Sequence, residues 1–207
     1  MIEILVMTYN NRVILPNLNR YKIILCSNSP RRKELLQGLG LDFQIRVINE
    51  IDESYDKTLI GDEIAKMIAE KKAQAYKSTM LSDELLITAD TIVYVDGNVL
   101  GKPKNRSDAI NMLKTLSGKC HDVITGVCIQ TVNEKLSFSV KTVVSFNHIT
   151  DDEINFYIEN YQPFDKAGAY GIQEWIGFVG VDSIKGSYFN VMGLPVQKLY
   201  TMLKNIK

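Results

Sequence analysis

A short stretch, SNSPRRKELL at 27–36, crowds one serine and three basic residues into the start of a helix. Ser29 is a favourable N-cap and Pro30 a favourable first helical residue, so Arg31, Arg32 and Lys33 fall in the first turn. A helix N-terminus is already partly positive, and each cation placed there costs about 0.3–1 kcal/mol. An anion would offset that cost. A strand-to-helix turn presents backbone N–H groups and the helix dipole to phosphate oxygens, and arginine adds bidentate hydrogen bonds. Ser27, Arg31 and Arg32, together with Lys72, Lys102 in GKP and the carboxylates Glu53 and Asp90, have the types for a distributed polyphosphate site. The carboxylates fit a divalent cation: magnesium takes one or two carboxylates plus substrate phosphates and waters, with manganese the alternative. Taken singly each feature is weak, because adjacent arginines are usually a solvated face.

Other chemistries fit poorly. SGKC at 117–120 is not a phosphate loop, since Leu113 stands where the first glycine belongs and Cys120 replaces the serine or threonine. His121 and His148 are the only histidines, too few for a three-histidine metal site, and His121 among strand residues reads as structural. No nucleophile elbow supports Ser-His-Asp catalysis. Lysine plus arginine equal aspartate plus glutamate at 24 each, so no global basic field favours a nucleic-acid polymer. The odd set Cys26, Cys120 and Cys128 lacks zinc or disulfide spacing, pointing to a reducing cytoplasm. No apolar run approaches the roughly 18–20 residues needed to span a bilayer, so no membrane partner is expected.

The elements that must position these residues alternate between strands and helices, with a strand-rich block in the middle, which predicts a mixed α/β domain. Residues 1–21 read as an extension and 22–207 as the domain. KIILCS at 22–27 and FQIRVI at 43–48 read as strands around the helix starting at Pro30, and NEIDESYD at 49–56 as a loop. A long helix is expected from Asp62 to Tyr76, with Ile64, Ala65, Met67, Ile68, Ala69, Ala75 and Tyr76 on its apolar arc. Lys72 falls inside that arc, either snorkelling from the edge of a buried face or lining a cleft. ELLITADTIVYV at 84–95 is a strand followed by a DGN turn into VLGKP. Asp90 interrupts it, facing solvent, marking a bulge or serving a site. A helix near 106–116, two strands over HDVITGVCIQTV and KLSFSVKTVVSFNHI, and a helix capped by Thr150 follow. KAGAYGIQEWIGFVG at 166–180 reads as irregular, and GLPVQKLYTMLKNI as a last amphipathic helix. Tyr157, Tyr161 and Trp175 are candidate exposed aromatics for a homodimer surface.

SNSPRRKELL, ADTIV, GKP, SGKCHDVITGV, DKAGAYGIQ and GSYFNVMGLPV occur in the order of the signature segments of the Maf family of nucleoside triphosphate pyrophosphatases, which the chain resembles over about residues 22–205. The resemblance implies an elongated central sheet flanked by helices with a deep cleft, of the inosine-triphosphate-pyrophosphatase kind. It implies hydrolysis of a nucleoside triphosphate to monophosphate and pyrophosphate by water attack at the α-phosphorus. Ser27, Arg31 and Arg32 would then bind phosphate, Lys72 and Lys102 would line the cleft, and Asp90 would be the proton acceptor. Glu53 matches an acidic position in the loop after the second strand, and with Asp90 would hold the metal. Metal ligand and base remain competing roles for Asp90.

DKAGAYGIQ resembles the branch acting on dTTP and UTP, in which Arg32, Thr91 and Gln173 influence nucleotide choice. The amide of Gln173 offers a donor and an acceptor to a pyrimidine edge, though a structural amide fits equally, and Thr91 has the same ambiguity. Glu174 stands where the family commonly has glycine. Two alternatives share these residues: an enzyme clearing modified nucleotides, and a nucleotide-sensing regulator of cell division with little turnover.

Overall fold

Apolar residues on both faces of 84–95 make this segment the centre of the fold. In the computed structural model, which describes residues 15–48, 51–56 and 58–207, it forms β3 (Glu84–Val95), with nearly every side chain buried. Odd positions such as Leu85, Ile87 and Val93 enter the main core, whereas Leu86 and Ile92 join clusters on the opposite face. This period of two sets Asp90 on the face of Ile92 and Thr91 on the other.

The seven-stranded mixed sheet has the order β2-β1-β3-β5-β6-β7, with β4 pairing β3 off that path. Strands β1 (Lys22–Leu25) and β2 (Phe43–Ile45) run parallel, as do β1 and β3. Strands β4 (Asn98–Leu100), β5 (Cys120–Gln130), β6 (Lys135–Phe146) and β7 (Val181–Lys185) complete it in antiparallel pairs. Helix α1 (Pro30–Gln37) buries Leu35 and Leu36 in the main core, which α3 (Arg106–Leu116) and α4 (Asp151–Tyr161) also cover. Helix α2 (Asp62–Tyr76) lies on the other face. Its row of Ala65, Ala69 and Ala73, each fully buried, lets the helix backbone come down onto β5, where Gly126 has no side chain to hold it off.

One gap in the sheet matters. Strand β1 pairs with β3 only from Glu84 to Ile87, and β4 pairs with it only from Val93 to Val95. Strand β5 occupies the opposite edge from Leu86 to Tyr94. The edge from Thr88 to Ile92 is therefore without a strand partner among the described residues, just beyond the carboxyl end of β1, where ligands of open α/β sheets bind.

Several sequence expectations change. Strand β2 ends at Ile45 rather than Ile48 because its partner β1 ends at Leu25; Arg46 turns to the buried carboxylate of Glu84 instead, and Val47 and Ile48 are exposed. Ala75 is exposed and Ala73 takes its place in the contact with Cys128. The 166–180 stretch, which follows a 3-10 turn at Pro163–Asp165, contains a second 3-10 turn at Ala167–Ala169 and α5 (Trp175–Gly180). Strand β7 and α6 (Tyr188–Met192) were not expected, and the final helix α7 spans only Val196–Leu203. Tyr157 is fully buried rather than exposed, because its ring enters the core and its hydroxyl is bound; Tyr161 is exposed and Trp175 partly so. Of the extension, residues 1–14 lie outside the described residues. Leu15 and Leu18 are buried in the main core, and the Asn17 amide donates to the Leu203 and Ile206 carbonyls at 2.9 and 3.0 Å. Within the loop expected at 49–56, residues 51–56 carry no regular structure, and 49–50 lie outside the described residues. No helix of the described residues is long and apolar enough to cross a membrane.

Candidate active site

The free edge of β3 opens into a cleft of about 710 Å³ whose lining includes all nine residues singled out from sequence: Ser27, Arg31, Arg32, Glu53, Lys72, Asp90, Thr91, Lys102 and Gln173. Its charged lining comprises Arg31, Arg32, Lys72, Lys102 and Lys166 against Glu53, Asp90 and Asp165. A chain with equal numbers of acidic and basic residues thus concentrates two net positive charges in one cavity, as an anionic ligand requires.

Asp90 and Lys72 settle their sequence ambiguities together. Asp90 pairs in register with Gly126, without a bulge, and is 8% exposed. Its carboxylate accepts from the Lys72 ammonium at 2.7 Å, and Glu53 approaches the same nitrogen at 2.8 Å. Lys72 therefore lines the cleft rather than snorkelling away from it. Burial pushes the Glu53 carboxyl upward, but the hydrogen bond and charge of Lys72, aided by Lys102 and Arg32, bring it below the usual range. Two carboxylates converging on one cationic position is a donor set that also suits magnesium. Among the described residues no cluster of three or more His, Cys, Asp or Glu side chains exists, so any such ion would complete its shell with phosphate and water.

The opposite wall begins at the β1–α1 turn. Ser29 caps α1 by accepting from the Arg32 backbone N–H, and Ser27 Oγ accepts from the Ser29 N–H at 3.2 Å. The two arginines diverge. Arg31 reaches across to Asp165 at 3.1 Å and stays near the cavity. Arg32 turns inward, donating through Nε to the Gly193 carbonyl at 2.8 Å, through Nη1 to the Ala89 carbonyl at 2.8 Å and through Nη2 to Thr91 at 3.1 Å. Ala89 lies on the unpaired edge of β3, so a guanidinium satisfies a carbonyl that a neighbouring strand would otherwise take. Burial lowers the pKa of Arg32. Thr91 continues the chain to Thr125 at 3.0 Å, which donates to the Asn190 carbonyl at 3.0 Å. Lys102 is exposed on the rim and forms none of the ion pairs found among the described residues.

Gln173 projects from the loop after the 3-10 turns, and its Oε1 is buried without a hydrogen-bond partner. Sequence reasoning did not assign Asp165, Lys166 or Glu174, although the first two lie inside DKAGAYGIQ. Lys166, 7% exposed, binds Asp165 at 2.7 Å and Glu174 at 3.0 Å. Only a buried lysine next to an aspartate could have hinted at this, and adjacency in sequence does not report burial. His121 is structural, as expected: its Nε2 meets the Tyr170 hydroxyl at 2.8 Å, and burial lowers its pKa to about 4.

The family pattern described as Maf-like protein matches residues 22–206. A protein of Bacteroides fragilis named dTTP/UTP pyrophosphatase is 59% identical over 193 residues, covering 93% of this chain and 100% of that one. The namesake of Phocaeicola vulgatus is 60% identical with the same coverage. That of Porphyromonas gingivalis is 50% identical over 194 residues, covering 93% of this chain and 98% of its own. Among solved structures, a HAM1 protein from Coxiella burnetii aligns over 89% of this chain and 99% of its own, at 16% identity and a TM-score of 0.42. The match across residues 22–206 and the high identity over nearly the whole of these relatives show that the chain belongs to the Maf family.

Proposed function

We propose that the domain at 22–207 is a dTTP/UTP pyrophosphatase, cleaving the nucleoside triphosphate between its α and β phosphorus atoms to release the monophosphate and pyrophosphate. The reading rests on one arrangement: a nearly buried Asp90 on the unpaired edge of β3, held by Lys72 and faced across a positively charged cleft by the start of α1. The relatives that cover this chain almost end to end carry that activity in their names.

The Arg31 side chain and its backbone N–H, with Lys102 and Ser27, bind the triphosphate, whose charge offsets the unfavourable cations of that turn. Arg31 must exchange Asp165 for phosphate on binding. Arg32 has its Nε and Nη1 committed to carbonyls and acts through Thr91 on the shape of the wall rather than as an open phosphate clamp. Gln173 supplies the unsatisfied amide oxygen for the base edge. Asp90 orients a water for in-line attack on the α-phosphorus and takes its proton, while Lys72 fixes the carboxylate. The water oxygen bonds to phosphorus as the bridging oxygen leaves with pyrophosphate, whose negative charge Lys102 and Arg31 stabilise. In the competing role for Asp90, Glu53 and Asp90 would instead hold magnesium, which when bound neutralises charge on the phosphates.

The test is to incubate the protein and D90N separately with UTP, dTTP, CTP and ATP plus magnesium, measuring monophosphate, pyrophosphate and orthophosphate. The expected result is pyrophosphate release highest with UTP or dTTP, falling at least about 100-fold in D90N. Orthophosphate as the main product, or near-parental turnover in the variant, would overturn the assignment. Tight binding without any release would favour a sensor.

A further inference from the structure

Glu174 lies behind the cleft rather than in its lining, yet its interactions run to both ends of the site. One carboxylate oxygen binds the Lys166 ammonium at 3.0 Å, and the other accepts from the Tyr157 hydroxyl. That hydroxyl oxygen in turn accepts from the Gly171 N–H at 3.0 Å, and the Glu174 N–H donates to the Gly171 carbonyl at 3.0 Å. A Cβ on Gly171 would come within 2.8 Å of the Glu174 carboxyl carbon, so the carboxylate is seated directly on the loop backbone. Gln173 lies between these anchored positions. From Lys166 the chain of charges continues through Asp165 at 2.7 Å to Arg31 at 3.1 Å.

We propose that Glu174 is a specificity-determining positioning residue, fixing the aim of Gln173 and, through Lys166 and Asp165, the resting place of Arg31. This deepens the pyrophosphatase reading and rests on it. Glu174 does not touch the substrate. Arg31 leaves Asp165 for phosphate when the nucleotide binds, so its resting place and the aim of Gln173 change how well each nucleotide is held and distinguished, whereas the attacking water, Asp90 and the phosphate-bound Arg31 keep their geometry. The signature is therefore in KM and in the ranking of nucleotides, with kcat little changed. Loss of a merely stabilising ion pair would lower the melting temperature and leave the ranking intact.

The experiment compares the parent protein with E174Q and Y157F on UTP, dTTP, CTP and ATP, with thermal melting recorded for each. E174Q keeps side-chain length and an acceptor for Tyr157 but removes the charge facing Lys166. Its KM for UTP and dTTP is expected to rise about tenfold, the size of one lost charge-assisted hydrogen bond, with kcat retained and the preference over CTP and ATP reduced. Y157F removes one hydroxyl and should shift KM and ranking the same way by less. A folded E174Q with parental KM and ranking overturns the proposal, as does a uniform loss of kcat across all four nucleotides. If E174Q does not fold, Y157F decides: a weakened ranking supports the proposal and a parental one overturns it. If the parent releases no pyrophosphate from any nucleotide, the enzymatic reading itself has failed. Binding of α,β-imido-UTP then tests Glu174: weaker binding to E174Q supports the positioning role and equal binding refutes it.

Discussion

Replacing Gly126 by alanine should damage both stability and turnover through one displacement. Gly126 faces α2 from β5, and an added Cβ would stand 2.1 Å from the Ala65 carbonyl oxygen, 2.2 Å from its carbon and 2.5 Å from the Lys66 nitrogen. Every one of these is a backbone atom, so no side chain can rotate away. Side-chain carbons essentially never approach within 3.0 Å of such atoms, so α2 must withdraw by at least about 0.9 Å. Overpacking of this kind costs roughly 1–3 kcal/mol, and contact with rigid backbone argues for the upper end. The same helix carries Lys72, whose ammonium lies 2.7 Å from Asp90 and 2.8 Å from Glu53. A shift near 1 Å takes those contacts beyond hydrogen-bonding distance, and misplacement on that scale can cost about 100-fold in rate. Urea unfolding and pyrophosphate release from UTP measure the two effects. Ile124→Val, in the same helix-to-sheet cluster, is the control: it removes a methylene without pushing, and should lose about 0.5–1.5 kcal/mol with kcat retained. A Gly126→Ala protein as stable and active as the parent would refute the reasoning.

His121 predicts an acid-sensitive core. Burial holds its pKa near 4, below the unfolded value, so between about pH 6.5 and pH 4 the unfolded chain takes up a proton that the native one does not. Stability should fall by roughly 3 kcal/mol across that window as pH drops, and urea titrations of His121→Gln should lack this component. Glu53 and Asp165, whose carboxyls are lowered, lose their contributions at more acidic pH in both proteins; an identical pH slope in parent and variant would refute the assignment. Arg32→Lys replaces a fork with a single ammonium, leaving at least one of the Ala89 and Gly193 carbonyls or Thr91 without its donor. Unfolding should show a loss of about 1–3 kcal/mol and the nucleotide ranking should blur; unchanged stability would sink the role given to the fork.

Segments whose pattern is local were readable from the chain. ELLITADTIVYV has both faces buried, needs no partner to be recognised as a strand, and occupies 84–95 as expected. Helix α2 spans Asp62–Tyr76 because its apolar period is long, and Thr150 caps α4 as expected, with Glu153 completing a capping box. Shorter elements depended on neighbours. Strand β7 has only Val181 and Ile184 partly buried, and β2 stops where β1 stops, a limit set by another segment.

For the site, sequence determined the chemical inventory: a helix start loaded with cations, two carboxylates, two further lysines and an amide. Tertiary structure decided what each one does. A helical wheel sets the direction of Lys72 but not what stands opposite, and only packing onto β3 showed a carboxylate there. Arg31 and Arg32 are adjacent in sequence yet one faces Asp165, 134 residues away, while the other fills the unpaired edge of β3. Electrostatic partners so distant along the chain leave no periodic trace, because their contact is created by the sheet order and by how closely an alanine-lined helix can approach a glycine.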